Sequence, residues 1–192
     1  MLFRSTPRPQ PGNPLPRLFR LSEDNAVINR LGFNSKGLEV YARNLEQRER
    51  KGTVGIVGAN LGKNRDTVDA ADDYAIGVKR VTAHADYLVC NVSSPNTPGL
   101  RSLQARNEIE ALIRRVQAAR REAADAAKLT KLPPLLAKVG PDLDGAQIQD
   151  IAEVALATQI DGLIIGNTTI TRPASLKSAQ AKEQGGLSGK PL

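Results

Sequence analysis

From Asn91 to Arg101 the chain reads Asn91-Val92-Ser93-Ser94-Pro95-Asn96-Thr97-Pro98-Gly99-Leu100-Arg101, with two serines, two amides and two rigid prolines directly after an apolar run. A turn leading into a helix cap accounts for the prolines and asparagines, but not for so many hydrogen-bonding groups beside a buried strand. Carboxamides both donate and accept. Asn29, Asn91, Asn96 and Asn167 together therefore suit a neutral ring with alternating carbonyl and NH groups, such as a pyrimidine. No His or Asp partner in sequence makes Ser94 a nucleophile of the hydrolase type, but a serine can move a proton when a relay such as Thr97 or water assists.

These residues need elements to position them, and the chain supplies a regular alternation. The run Val54–Gly58 ends in Asn60, and a helical pattern follows over 66–82 with Val68, Ala71, Tyr74, Ala75 and Val78 in register. Tyr87–Cys90 ends in Asn91, and a long basic helix follows over 103–127. Leu135–Ala137 ends in Lys138, and a helix over 145–158 presents Ile148, Ile151, Ala152 and Ala155 to the core. Gly162–Gly166 ends in Asn167 and Thr168. These are four strands of the buried, parallel type, three of them followed by helices. A further helix is predicted over 35–51, capped by Ser35, with Leu38, Tyr41, Ala42 and Leu45 on its buried face. Ahead of it, five of the 12 prolines crowd between Pro7 and Pro16, which excludes helix and central strand and marks an extended arm.

A doubly wound sheet and a TIM barrel share this pattern. A barrel converges every strand's carboxyl end on one face, which suits Asn60, Asn91, Lys138 and Asn167, whereas an open sheet uses mainly the residues at its switch point. A barrel also needs eight strands and about 250 residues, so four strands make either half of one or another fold.

Composition narrows the class. The chain has 192 residues, 40% hydrophobic and 24% charged, a globular balance. Its +7 charge attracts anions, while three Phe, three Tyr and no Trp supply few platforms for stacking bases, which argues against nucleic acid. Cys90 is the single cysteine and His84 the single histidine, so no disulfide or zinc-type spacing exists and no metal is expected. No apolar run reaches the roughly 18 residues needed to cross a bilayer, and no targeting segment is visible.

Six segments then occur together and in order: Asn29-Arg30-Leu31-Gly32-Phe33-Asn34, Asn60-Leu61-Gly62-Lys63-Asn64, Asn91 to Leu100, Lys138-Val139-Gly140-Pro141-Asp142-Leu143, Asn167-Thr168-Thr169, and Gly185-Gly186-Leu187-Ser188-Gly189-Lys190-Pro191-Leu192. Over about Ser5 to Leu192 the chain resembles the dihydroorotate dehydrogenases, specifically the class 2, quinone-reducing, membrane-associated branch. Ser94 decides the class, because class 1 enzymes carry cysteine there. The resemblance implies oxidation of dihydroorotate to orotate in pyrimidine biosynthesis, with FMN as cofactor and a quinone as acceptor. It implies Ser94 as the base that takes the C5 proton while a hydride passes from C6 to the flavin. By position, Asn29, Arg30, Leu31, Gly32, Phe33, Asn91, Asn96, Asn167 and Thr168 would bind substrate. Asn60, Asn91, Lys138, Gly166, Ser188 and Gly189 would contact flavin, Gly166 through its backbone because the family usually has threonine there. Lys138 would supply positive charge where the reduced flavin becomes anionic, the alternative being a lysine that reaches solvent. Cys90 is expected in the core.

The same comparison predicts a partial (β/α)8 barrel with about four central units, the first and last strands lying outside the segment, and a division into an arm and substrate loop over 1–34 and an FMN-binding barrel portion over 35–192. With those strands would go the substrate lysine, the flavin phosphate site and the helices that admit quinone. Family membership implies the mitochondrial inner membrane or the bacterial cytoplasmic membrane, through a region not present in these residues. The alternative reading is a non-catalytic product that acts as a structural or interaction protein through open sheet edges.

Overall fold

The computed structural model describes residues 2–97 and 99–192, with only the backbone of 2–4; Pro98, one of the two prolines of the Asn91–Arg101 segment, lies outside the described residues. The main layer is a five-stranded parallel sheet in the order β1 (Leu2–Ser5), β4 (Gly58–Leu61), β5 (Tyr87–Asn91), β6 (Leu135–Val139) and β7 (Gly162–Ile165). Strand order follows chain order without reversal, so this sheet has no switch point and the doubly wound alternative falls away. The sequence-based count of four parallel strands is one short. Leu2–Ser5 is too brief to show a period, and its pairing with Gly58–Leu61 is what makes it a strand.

Among the described residues four α-helices accompany the sheet: α1 (Leu38–Arg50), α2 (Ala70–Val81), α3 (Arg106–Ala126) and α4 (Gly145–Thr158). Their apolar faces meet alternate strand residues, Ala59 and Leu61 of β4, Leu88 and Cys90 of β5, Leu135 and Val139 of β6, in one core. Because strand side chains alternate, the residues between them, Asn60, Val89 and Asn91, belong to the opposite face of the sheet. One face packs helices; the other carries polar groups.

Several boundaries differ from expectation. Helix α1 starts at Leu38, and Ser35 does not cap it; its Oγ accepts from the Gly37 amide at 3.1 Å instead. The buried set of α1, Leu38, Tyr41, Ala42 and Leu45, is the predicted one. The apolar run at Val54 is not the strand: Val54 is 97% and Ile56 72% exposed. Pairing of Gly58–Leu61 with Tyr87–Cys90 sets the strand four residues later, where Asp86 Oδ2 accepts from the Val57 amide at 2.7 Å. Helix α2 begins after Asp69, whose carboxylate caps the Ala71 and Asp72 amides at 3.0 and 3.3 Å, so Val68 stands outside the helix in solvent. Helix α4 has the predicted bounds but buries Ile151, Val154 and Thr158, while Ile148 and Ala152 are exposed and Ala155 is half-buried. That three- and four-residue spacing faces α3, where Gln117 Nε2 donates to Thr158 O at 2.9 Å.

A second, antiparallel sheet joins β2 (Leu18–Leu21), β3 (Ala26–Asn29) and β8 (Gly186–Gly189) around Phe19, Leu21, Ala26, Ile28 and Leu187. It brings the last residues of the chain beside Asn29, which pairs with Gly186. Only glycine fits at 186, since a Cβ there would lie 1.9 Å from Thr168 Oγ1.

Candidate functional site

The carboxyl ends of β5 and β7 meet at one buried hydroxyl. Asn91 closes β5, and its Oδ1 accepts from the Ser93 amide at 3.2 Å and from Ser93 Oγ at 2.8 Å. Ser93 Oγ accepts in turn from Asn167 Nδ2 at 2.7 Å, and Asn167 Oδ1 accepts from the Thr168 amide at 2.8 Å. The chain of bonds assigns both carboxamides an orientation. Asn96 Nδ2 donates to Asn29 O at 2.9 Å and lies 3.3 Å from Asn29 Oδ1, joining this cluster to the end of β3. Ser94 lies among these groups, 6% exposed, and its Oγ accepts a long bond from the Asn96 amide at 3.3 Å. Asn29, Asn91, Ser94, Asn96, Asn167 and Thr168, singled out in the sequence, thus converge from three separate stretches of chain.

Register places two more predicted residues on the same, helix-free face. Lys138 pairs with Asn91, and Asn60 pairs with Val89 one layer below. Among the described residues, Asn60 Oδ1 and Thr97 Oγ1 are buried with no hydrogen-bond partner. An orphaned buried acceptor costs about 1–3 kcal/mol unless a water or a ligand satisfies it, and both of these lie beside this cluster. At the back of the strand Cys90 is 1% exposed within the apolar core, as expected, and burial pushes its thiol up to about 12. Tyr74, fully buried, donates from its hydroxyl to Asn91 O at 2.7 Å and anchors the strand end from the helix side.

The remaining predicted residues are arranged differently. Arg30 turns its guanidinium away, to Glu183 Oε2 at 2.9 Å and over the Phe19 ring at 4.6 Å. Leu31 gives its carbonyl to the Asn13 amide at 3.0 Å. Gly32 and Phe33 both take positive φ, 68° and 54°, a turn that buries Phe33 against Gly62. The Gly166 amide is engaged with Val139 O at 3.3 Å. Ser188 and Gly189 lie on β8 and line a groove of about 450 Å³ with Arg20, Asn25 and Val27, apart from the hydrogen bonds of the Ser93 cluster.

Three contributors had no role in the sequence reading. Ser93 was one hydroxyl among several, although its place two residues after a strand-end asparagine suits an Asx-type bond. Asn13, in the proline-rich arm, donates from Nδ2 to Arg30 O at 3.0 Å and to Asn96 O at 3.2 Å, and carries no local signal. Arg101 pairs with Asp142 at 2.8 Å. Burial alone would raise the Asp142 carboxyl, but hydrogen bonds from Thr169 and the Ile170 amide and the Arg101 charge together hold it below the usual carboxylate range.

The family model for dihydroorotate dehydrogenase matches residues 1–192. A protein named dihydroorotate dehydrogenase (quinone) from Xanthobacter autotrophicus is 61% identical over 188 residues, which cover 97% of this chain and 52% of that protein. A mitochondrial protein of the same name from Mus musculus is 53% identical over 192 residues, 97% of this chain and 48% of that one. The crystal structure of ligand-free DHODH from Eimeria tenella superposes with a TM-score of 0.93 at 48% identity, covering 98% of this chain and 56% of that chain. The chain therefore spans about half the length of the curated relatives it matches. Among the described residues no helix is long and apolar enough to cross a membrane. With the family model matched along the whole chain and 61% identity to a relative, this chain belongs to the dihydroorotate dehydrogenase family.

Proposed function

We propose that these residues form the substrate-facing portion of an enzyme that oxidises dihydroorotate to orotate, on an arc of a (β/α)8 barrel. The observation that carries the reading is the cluster around Ser93, in which carboxamides from the ends of β3, β5 and β7 and from the loop after β5 stand beside a lightly bonded serine hydroxyl. Amides of fixed orientation suit the carbonyl and NH edge of a dihydropyrimidine. Ser94 Oγ has lone pairs to spare, and in this role it takes the C5 proton and hands it on through Thr97 or water.

The donor set fits FMN. Asn60 offers a buried, unmatched acceptor for a ring NH, and Asn91 and Lys138 stand one layer above it on the same face. Bound FMN would supply the acceptor for the hydride from C6, with a quinone taking the electrons onward at a mitochondrial inner or bacterial membrane surface. Lys138 would offset negative charge developing there. Ser188 and Gly189 would meet the flavin from β8, and Asn29 to Phe33, with Asn96, Asn167 and Thr168, would hold the substrate.

The test uses a chimera in which residues 1–192 replace the matching half of the Xanthobacter relative. Reduction of bound flavin by dihydroorotate, followed by stopped flow, should slow about 10² to 10⁴-fold in Ser94→Ala while flavin stays bound. A change below about threefold would remove Ser94 from the reaction, being under ~0.7 kcal/mol of barrier.

A further inference from the structure

The loops that leave β5, β6 and β7 each carry or adjoin part of the polar cluster, and the strand pairing that orders them stops at Asn91 with Lys138 and at Val139 with Ile165. One side chain reaches all three loops beyond that point. Arg101 Nε donates to Ser93 O at 3.2 Å, Nη1 pairs with Asp142 Oδ2 at 2.8 Å, and Nη2 donates to Thr168 O at 3.2 Å. Asp142 accepts as well from Thr169 Oγ1 and from the Ile170 amide at 3.0 Å, so the loops after β6 and β7 are tied a second time. Gln104, in the helical turn Arg101–Gln104, takes the Gly140 amide at 2.8 Å. The Arg101 and Asp142 side chains are 23% and 16% exposed, so water competes weakly for these charge-assisted bonds.

The geometry points to Arg101 as a positioning residue for the reaction proposed above, its guanidinium setting the distance between the Ser94 segment and the Asn167–Thr168 segment. The inference rests on that reading of the site. Ser93 O belongs to the peptide plane that joins Ser93 to Ser94, so a donor fixed on it orients the backbone from which the Ser94 hydroxyl projects. Thr168 O fixes the residue next to Asn167, whose amide meets Ser93 Oγ from the other side. A planar fork can serve three acceptors at set angles, whereas an ammonium is a point charge on a flexible stem. Asp142 keeps the guanidinium neutralised and aimed.

Arg101→Lys in the flavin-loaded chimera tests this by single-turnover reduction with dihydroorotate. Displacing a reacting group by about 1 Å costs on the order of 10²-fold, so the rate constant should fall tenfold or more. That constant is read only from protein that holds flavin, so partial unfolding lowers the amplitude and leaves the rate unchanged. A smaller fall overturns the proposal. Where Arg101→Lys loses its flavin, Asp142→Asn is read instead, with a fall of threefold or more expected and a smaller one overturning the role. A second measurement needs no activity: in the flavin-free chain of 192 residues, hydrogen exchange over 92–100 and 166–171 should rise together in Arg101→Lys, and an unchanged rate in either segment refutes the coupling. An unaltered chimera that dihydroorotate cannot reduce would refute the proposed function instead, and the catalytic side of the Arg101 role with it.

Discussion

Ser93 and Ser94 are neighbours in sequence, both buried but differently hydrogen-bonded, and alanine at each should separate stability from turnover. Ser93 is fully buried and donates to Asn91 Oδ1 at 2.8 Å while accepting from Asn167 Nδ2 at 2.7 Å. Ser93→Ala removes both bonds. Asn91 Oδ1 keeps the amide of residue 93 at 3.2 Å, and Asn167, half-buried, can turn its NH2 toward water, so the loss is about 1–3 kcal/mol rather than the full cost of two orphaned groups. Ser94 Oγ takes a single bond of 3.3 Å from the Asn96 amide, and Ser94→Ala should cost less than about 1 kcal/mol. At roughly 2–4 °C per kcal/mol for a chain of this size, Ser93→Ala lowers the unfolding midpoint by about 2–12 °C and Ser94→Ala by less than about 4 °C. Thermal unfolding of the 192-residue chain by circular dichroism reads the first effect, and flavin reduction in the chimera reads the second, where Ser94→Ala should be the slower variant. Equal midpoints, or a larger drop for Ser94→Ala, would refute the division of labour.

Lys138→Ala in the chimera removes a charge-assisted contact of about 1.5–3 kcal/mol, so flavin reduction should slow and flavin retention weaken; an unchanged reduction potential at full occupancy would show that Lys138 serves elsewhere. Asn60→Leu removes an unmatched buried acceptor, so in the flavin-free chain it should hold or raise the unfolding midpoint while lowering flavin retention in the chimera, and a stability loss above ~1 kcal/mol would contradict the orphan assignment. Burial of Asp161 favours its neutral form, but the Leu135 amide and the Arg120 guanidinium outweigh this and leave its carboxyl depressed, as in Asp142. Groups lowered on folding stabilise above the unfolded carboxylate value of about 3.9, and that contribution disappears as pH falls through the depressed folded value. Urea midpoints should therefore hold from neutral pH to about pH 5 and drop below about pH 4. Asp161→Asn should lower the neutral-pH midpoint, because it strands Arg120, 5% exposed, without its counter-charge, and flatten that drop, because the depressed carboxyl is gone; an unchanged acid slope would overturn the assignment.

Much of the main layer is readable locally because it depends on local periods. Strands β5, β6 and β7 and helices α1, α3 and α4 lie within a few residues of their sequence patterns, since apolar runs of four or five residues and 3.6-residue periodicity are properties of contiguous chain. Where two apolar options compete, the period is silent. Val54 to Val57 is as apolar as any strand, yet the ladder with β5 selects Gly58–Leu61, and nothing within the run records that partner. The buried face of α4 differs from its sequence pattern for the same reason: several apolar stripes run along it, and contact with α3 chooses among them.

The candidate site divides along the same line. Residue types and order alone pointed to Asn60, Asn91, Lys138 and Asn167, because a carboxamide or an amine at the end of an apolar run is a chemical statement that needs no coordinates, whereas the role of Ser94 came with the family resemblance. Tertiary structure decided which of them touch. Ser93 as the shared hydroxyl, Asn13 pinning Arg30 O and Asn96 O, Arg30 spent on Glu183 and Phe19, Gly186 under Thr168, and Arg101 spanning three loops all depend on residues far apart in the chain. Hydrogen bonds reach about 3 Å and fix direction, so they arise only after packing has brought distant backbone into register, and no local pattern encodes them.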